Sequence, residues 1–526
     1  MPLDTSGPSR RTFVTGLAGL GALAGVGTLA LAGCTTRAPS PAASTTPAAD
    51  RGPSTWAALA AAATGTLLRP SSVGYGTAKL TENPRFDDAA PLGILLASSA
   101  ADVAAGLAFA RNSKTPLAVR SGGHNYAGWS AGGASGTDVS PSLVIDTAGL
   151  RSITLSDDGS TVDIGPGAPL ALVYETLGAR GRAIGAGSCG TVAVGGLTLG
   201  GGVGVLSRSF GLTCDQLTGV EIVTADGVVH QASAAKDADL FWACRGGGGG
   251  SVGVVTRLTF QTQAAPTVDM WALTFPWSAA ADVVAAWQQW APTADERLWS
   301  TLKLLGGETH PRGPVVTVSG TWTGDGPVSA QLSAFLTSVG TAPLTSVATS
   351  HDYVDAMLRY AGCAGQKASA CTTGDGGVLK RVSESGASSL PTVALSADGI
   401  QTLLAKVEAA QDVVGLTEGG ISLDALGGAV SRVAAGDTAF VHRDAILSAQ
   451  YTSTFADGVD PSSFDAYVRS FREALVPEWG EASYVNYVDA SLASPGESYF
   501  GANLSRMQSI RKATDAASVF RQPHFL

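Results

Sequence analysis

The chain has 526 residues, 45% of them hydrophobic, enough to build two cores or one large compound one. A formal net charge of −10 without a basic stripe argues against a nucleic-acid partner. The 67 glycines gather in a few loops instead of a fixed period, which excludes collagen-like and fully disordered readings.

In chain order, residues 1–34 read as processing signals to be set apart from the fold. Ser9-Arg10-Arg11-Thr12-Phe13-Val14 matches a twin-arginine export signal, an uncharged Gly/Ala/Leu run follows, and Leu31-Ala32-Gly33-Cys34 has the form of a bacterial lipobox. An uncleaved membrane helix is the alternative for this run. Both place the protein on the outer face of the cytoplasmic membrane, lipid-anchored at Cys34 or secreted, with no other membrane contact expected. Residues 35–54 lack large aliphatic side chains and read as a flexible linker.

Residues 55–265 form a first predicted domain. LLASSAADVAAGLAFA reads as strand then helix, PLAVRSGGH as a strand entering a loop, and SLVIDTAGL, TVDIGPGA, ALVYETLGA and VEIVTADG as short strands around one helix, an α+β pattern. Residues 266–480 form a second, where MWALTFPW, TLKLLGG and VVTVSGTWTG alternate with amphipathic helices such as SAQLSAFLTSV. This predicts a mostly antiparallel sheet covered by helices. Cys363 and Cys371, eight apart, suit a disulfide in an oxidising space, whereas Cys214 and Cys244 replace small core residues and carry no chemistry. Trp271, Trp277, Trp287 and Trp290 suit a core or a sugar-stacking surface.

Two glycine-dense loops carry the chemistry: RSGGHNYAG from Arg120 and GSCGTVAVGGLTLGGGVG from Gly187. Consecutive glycines free several backbone N–H groups to approach one phosphate or planar ring. His124 and Cys189 are thereby offered beside such backbone, although a turn histidine and an inert core cysteine are the bland readings of each alone. Gly185, Gly187 and Gly190 spell G-x-G-x-x-G, but the continuation TVAVGGLTLGGG is too glycine-rich and β-branched to predict the helix a dinucleotide fingerprint needs.

These loops, with NPRFDDAAP at Asn83, SRSFGLTCDQL, VTADGVVHQAS, DLFWACRGGGGGSVGVVTRL, LDALGGAVSRV, TAFVHRDA, YVNYVDASL and YFGANLSRM, resemble the FAD-linked oxidases of the berberine bridge enzyme type. Their flavin domain is of the p-cresol methylhydroxylase or vanillyl-alcohol oxidase class. The resemblance implies an α+β fold: a two-subdomain FAD-binding domain over 55–265, a substrate domain over 266–480, and a C-terminal segment, 481–526, that returns to the FAD domain. It implies FAD bound covalently through its 8α-methyl to His124 and through C6 to Cys189.

By the same resemblance Ser121, Gly122, Gly123 and His124 backbone, with Arg120 and Asn125 in that loop, lie against the pyrophosphate. Gly253 and Val255 lie near the adenine side, Gly196 in the second loop, and Tyr484 and Asn486 beside the ring. Val192 matches a gate position that leaves oxygen access. Tyr487 is the implied base, Tyr126 a wall of the pocket, and Gln450 projects from LSAQYTS if the strand register holds. A phenol with an ordinary pKa near 10 needs a neighbouring positive charge, or the reduced pKa of a polarised pair, to serve as base at neutral pH. Asp215 has a family counterpart near the flavin loop but reads equally as a helix cap. Leu197 stands where several members carry a histidine. No metal is expected.

The function implied is an oxidase that moves hydride from an alcohol, such as a sugar, oligosaccharide or natural-product hydroxyl, to flavin N5, with reoxidation by O2 to H2O2. A flavin-dependent dehydrogenase or oxidative cyclase is the alternative, and a non-catalytic flavin-binding lipoprotein the more distant one. Nothing in the sequence fixes the substrate.

Overall fold

The computed structural model describes residues 52–521. The export signal, the lipobox cysteine and nearly all of the predicted linker lie outside the described residues.

Among the described residues three large sheets organise the fold, beside a two-stranded pairing of Gln263–Ala264 with Arg182–Ala183. The first has four strands in the order Thr66–Leu68, Gly93–Leu96, Leu143–Asp146, Leu117–Arg120, and its last three run parallel. GILL and LVID are apolar throughout because parallel strands are covered on both faces. Helix Ala100–Ser113 makes the crossover; the Ser99 hydroxyl caps it by accepting from Asp102 N, and it ends at Lys114 with φ 59°. The chain then runs through Leu117–Arg120 straight into the histidine loop.

The second sheet is antiparallel, with five strands in the order Ile153–Leu155, Thr161–Ile164, Val254–Gln261, Leu217–Val223, Val229–Ala232. Between its strands lie helix Leu170–Gly178 and a six-residue helix, Val194–Leu199. The second corrects the sequence reading, which judged this segment too glycine-rich for a helix. Val194 N and Gly195 N donate to Ala168 O and Pro166 O, each at 2.9 Å, so tertiary bonds override propensity. Gly195 is needed there, since a Cβ would stand 2.7 Å from Pro166 Cβ.

The third sheet has seven antiparallel strands in the order Thr345–His351, Val268–Phe275, Val315–Trp322, Leu298–Gly306, Leu416–Ala425, Leu447–Phe455, Ser383–Ser389. Residues two apart share a face. Leu298, Leu302 and Leu304, with Ile421, Leu423, Ala449 and Tyr451, pack into one core with helices Ala280–Trp290, Val328–Val339, Ala397–Glu408 and Ser462–Trp479. Trp271 and Trp287 belong to that core, and Trp277 and Trp290 pack against it. The alternate residues Thr301, Lys303, Ser422, Asp424 and Gln450 line a cavity on the other side.

The chain end returns to the first part of the fold. Val485, Val488, Tyr499, Phe500 and Met507 share a core with Val220, Ile222 and Phe260, and Phe520 joins Leu107 and Ile145. Arg208, 1% exposed, ties this part to the large sheet by donating to Leu298 O at 2.8 Å, Pro292 O at 2.9 Å, Ala294 O at 2.5 Å, and Leu426 O. Cys363 and Cys371 form a disulfide, while Cys214 and Cys244 are free and buried.

Candidate active site

A cavity of about 550 Å³ lies between the two glycine loops and the polar face of the seven-stranded sheet. The loops are pressed together: a Cβ at Gly122 would fall 2.6 Å from Ala193 N, and Gly123 takes φ 75°. Asn125 Oδ1 accepts from Ala127 N and Trp129 N, both at 3.1 Å, which fixes the turn after His124. The cysteine loop is held by Leu170 N donating to Val192 O at 2.9 Å and Ala171 N to Gly190 O at 3.0 Å. From its outer side, Cys371 Sγ comes so close that a Cβ at Gly190 would meet it at 2.8 Å.

Thr191 joins the two chemically active residues. Its hydroxyl shares a hydrogen bond with His124 Nε2 at 3.0 Å and lies 3.4 Å from Cys189 Sγ. Residues 65 positions apart in sequence therefore meet across one hydroxyl group. Burial pushes the His124 imidazole down to about 4, so it is neutral at physiological pH, and the Cys189 thiol is exposed.

Ser121, Gly122, Gly123, His124, Asn125 and Tyr126 all line the cavity, as do Cys189, Val192, Gly196, Leu197, Gly253 and Val255. Gln450, Asn486 and Tyr487 close it from the sheet side and the chain end. Two predicted cofactor contacts lie elsewhere. Arg120 is spent underneath the loop, paired with Asp146 at 2.7 Å and donating to the carbonyls of Ala78 and Lys79, so its guanidinium is turned away from the cavity. Tyr484 is 1% exposed; its hydroxyl accepts from Gly202 N at 2.7 Å and from Asn486 Nδ2 at 2.9 Å. It braces Asn486, which also donates to Leu197 O at 2.8 Å. Asp215 is an internal cap, accepting from Leu212 N at 2.9 Å, and a bidentate partner of Arg443.

The rings of Tyr126 and Tyr487 stack with centroids 5.4 Å apart and planes 5° from parallel, and Gln450 Nε2 donates to the Tyr126 hydroxyl. A base role for Tyr487 calls for a positive neighbour or a polarised pair that lowers its pKa. The structure gives the reverse: burial, then the negative charge of Asp424, hold it well above the ordinary phenol range. Tyr487 is therefore a phenol at neutral pH, and a carboxylate is its electrostatic neighbour. Burial also raises Asp424, against the opposing pull of Lys303.

Asp424, Lys303, Glu384 and Trp299 line the same cavity and were not singled out from the sequence. In ISLDA the apolar residues fall at 421, 423 and 425 and the polar ones at 422 and 424, so period-two alternation is the signal that places Asp424 opposite the core. Trp299 Nε1 is buried and has no hydrogen-bond partner among the described residues. Glu384 also lines a second cavity of about 230 Å³, together with Tyr126, His124, Cys189, Glu82 and Thr373. Burial pushes the Glu384 carboxyl up to about 7, opposed by Arg85.

Residues 91–233 match the FAD binding domain family and residues 483–524 the berberine and berberine-like family. The chain is 30% identical over 469 residues to an FAD-linked oxidoreductase of Bacillus subtilis (strain 168), YvdP, covering 88% of this chain and 97% of that protein. It is 31% identical to a xylooligosaccharide oxidase of Thermothelomyces thermophilus, covering 77% and 80%. Among solved structures, the BBE-like 1 protein of Physcomitrella patens superposes with a TM-score of 0.79 at 25% identity, covering 88% and 97%. Xylooligosaccharide oxidase from Myceliophthora thermophila C1, in complex with xylobiose, gives 0.78 at 25%, covering 89% and 97%. The cavity suits FAD on its own geometry. A Cβ added at Gly196, which lines the cavity, would meet nothing within 4 Å, so the cavity is open beside it.

Proposed function

Because the chain belongs to the berberine bridge enzyme-like FAD-linked oxidoreductases, we propose that it is a bicovalent FAD oxidase of sugar or oligosaccharide hydroxyls. The observation that carries this reading is the Thr191 hydroxyl between His124 Nε2 and Cys189 Sγ at the cavity wall. Thr191 engages Nε2 of the imidazole, and the other nitrogen, Nδ1, would carry the flavin 8α carbon. The exposed Cys189 sulfur is the partner for C6.

When bound, FAD supplies the hydride acceptor. The chain supplies position and proton management. Gln450, Ser422 and Lys303 offer donors on one sheet face, and Trp299 Nε1 offers another that lacks a partner, a set suited to several hydroxyls of a sugar. Tyr487 and Asp424 take up the substrate hydroxyl proton together: a phenol held protonated accepts a proton only as its own passes to a carboxylate whose raised pKa suits that task. Val192, small and β-branched at the wall, leaves a way in for O2, making hydrogen peroxide the product.

Two named relatives, a xylooligosaccharide and a chitooligosaccharide oxidase, support the carbohydrate class. Export and a lipid anchor at Cys34 complete the proposal, and the Cys363–Cys371 disulfide suits an oxidising compartment. The test is anaerobic mixing of the holoenzyme with mono- and oligosaccharides and a panel of phenols, followed by an oxygen electrode. Bleaching of the flavin band by a saccharide, then O2 consumption with peroxide release, is the expected result. Bleaching without O2 consumption would point to a dehydrogenase, and no bleaching by any compound would refute the enzyme reading.

A further inference from the structure

Strand Ser383–Ser389 sends Glu384, Gly386 and Ser388 to the face away from the helices, at two-residue spacing. Glu384 reaches the cavity, and Ser388 Oγ accepts from Tyr484 N at 2.9 Å. Gly386, between them, is the informative one. It is not among the glycines with positive φ, so its backbone has no need of glycine, and glycine inside a strand weakens it.

What a side chain would meet there is Tyr126. A Cβ built on Gly386 stands 2.7 Å from both Cδ2 and Cε2 of that ring, while the next neighbour, Tyr451 O, is an ordinary 3.6 Å away. The ring has no cheap escape. One face stacks on Tyr487 at 5.4 Å, the hydroxyl is bonded to Gln450, and the ring stands at the boundary of both cavities. Moving it off the sheet gives up the stack, the hydrogen bond, or both.

We propose that Gly386 is a positioning residue for the reaction. Its missing side chain is the recess in which Tyr126 lies, and through that ring it sets the geometry of Tyr487 and Gln450 and the wall between the two cavities. The recess is a feature of the fold; its effect on turnover rests on the oxidase reading.

Four holoenzymes test it: wild type, Gly386→Ala, Tyr126→Ala and the double variant. In thermal unfolding, Gly386→Ala lowers Tm by about 2 °C or more when Tyr126 is present. With Tyr126→Ala, the new methyl enters vacated space and Tm is unchanged or rises. A Gly386→Ala protein that folds only when Tyr126 is also replaced gives the same support. Equal loss in both backgrounds, or none in either, overturns the proposal. In anaerobic reduction by xylobiose, Gly386→Ala slows flavin reduction at least about tenfold in the presence of Tyr126, as a displacement near 1 Å does, and less than about twofold in its absence. A wild type that xylobiose fails to reduce counts against the sugar reading, and the unfolding comparison then decides the recess by itself.

Discussion

His124 Nε2 and the Thr191 hydroxyl lie 3.0 Å apart, so the histidine loop and the cysteine loop are joined through one imidazole nitrogen. On denaturing electrophoresis, His124→Ala and Cys189→Ala should each keep the flavin fluorescence or colour, because one attachment survives. The double variant should lose it. A double variant that remained fluorescent would mean that attachment runs through other residues.

Asp424 is the charge that most strongly opposes ionisation of Tyr487. Asp424→Asn should reduce the rate of flavin reduction by about 100-fold or more, the range for losing a general base, with saccharide binding and both flavin links intact. Single-turnover kinetics separate these outcomes; a loss confined to binding would make Asp424 a substrate holder.

Glu384 gives a pH signature. Its carboxyl is raised to about 7 in the folded protein against a reference of 4.5, so the folded state holds the extra proton between those values. The stability it contributes is therefore full below about 4.5 and is lost as pH rises through 7. Glu384→Gln should match wild type in Tm near pH 4.5 and exceed it above pH 7. A constant difference across that range would show that this carboxyl does not titrate there.

Arg208 satisfies four carbonyl oxygens from the domain opposite, and burial lowers its pKa only to about 10, so it stays charged. Arg208→Met should cost about 3 kcal/mol or more in urea unfolding, since those acceptors lose their donor inside the protein. A loss below about 1 kcal/mol would mean that water takes over the carbonyls.

The parts of the site readable in the sequence were those carried by one short segment. His124 and Cys189 announce themselves because glycine spacing and a reactive side chain occur together in a few residues. Asp424, Lys303 and Glu384 do not: each belongs to a different strand, and their meeting depends on the registers Thr301 with Asp424 and Ser422 with Gln450. Arg120 sits beside the loop in sequence, yet its side chain points under it, a direction that sequence adjacency does not give. The helix Val194–Leu199 was missed for a similar reason, since bonds to Pro166 and Ala168 decide it instead of local propensity. The seven-stranded sheet was legible as a layer because alternation survives in strands such as Val268–Phe275 and Leu447–Phe455, but not in Thr345–His351, which is exposed along almost all of its length, and alternation gives no strand order.

The buried pair of Arg120 and Asp146 also bears on protein engineering. A stretch such as RSGGHNYAG invites transplantation into other scaffolds as a ready-made flavin anchor. Its shape, however, is borrowed from a carboxylate on the adjacent parallel strand and from two carbonyls at positions 78 and 79. A graft that copied the nine letters without those supports would carry an uncompensated cation into its host.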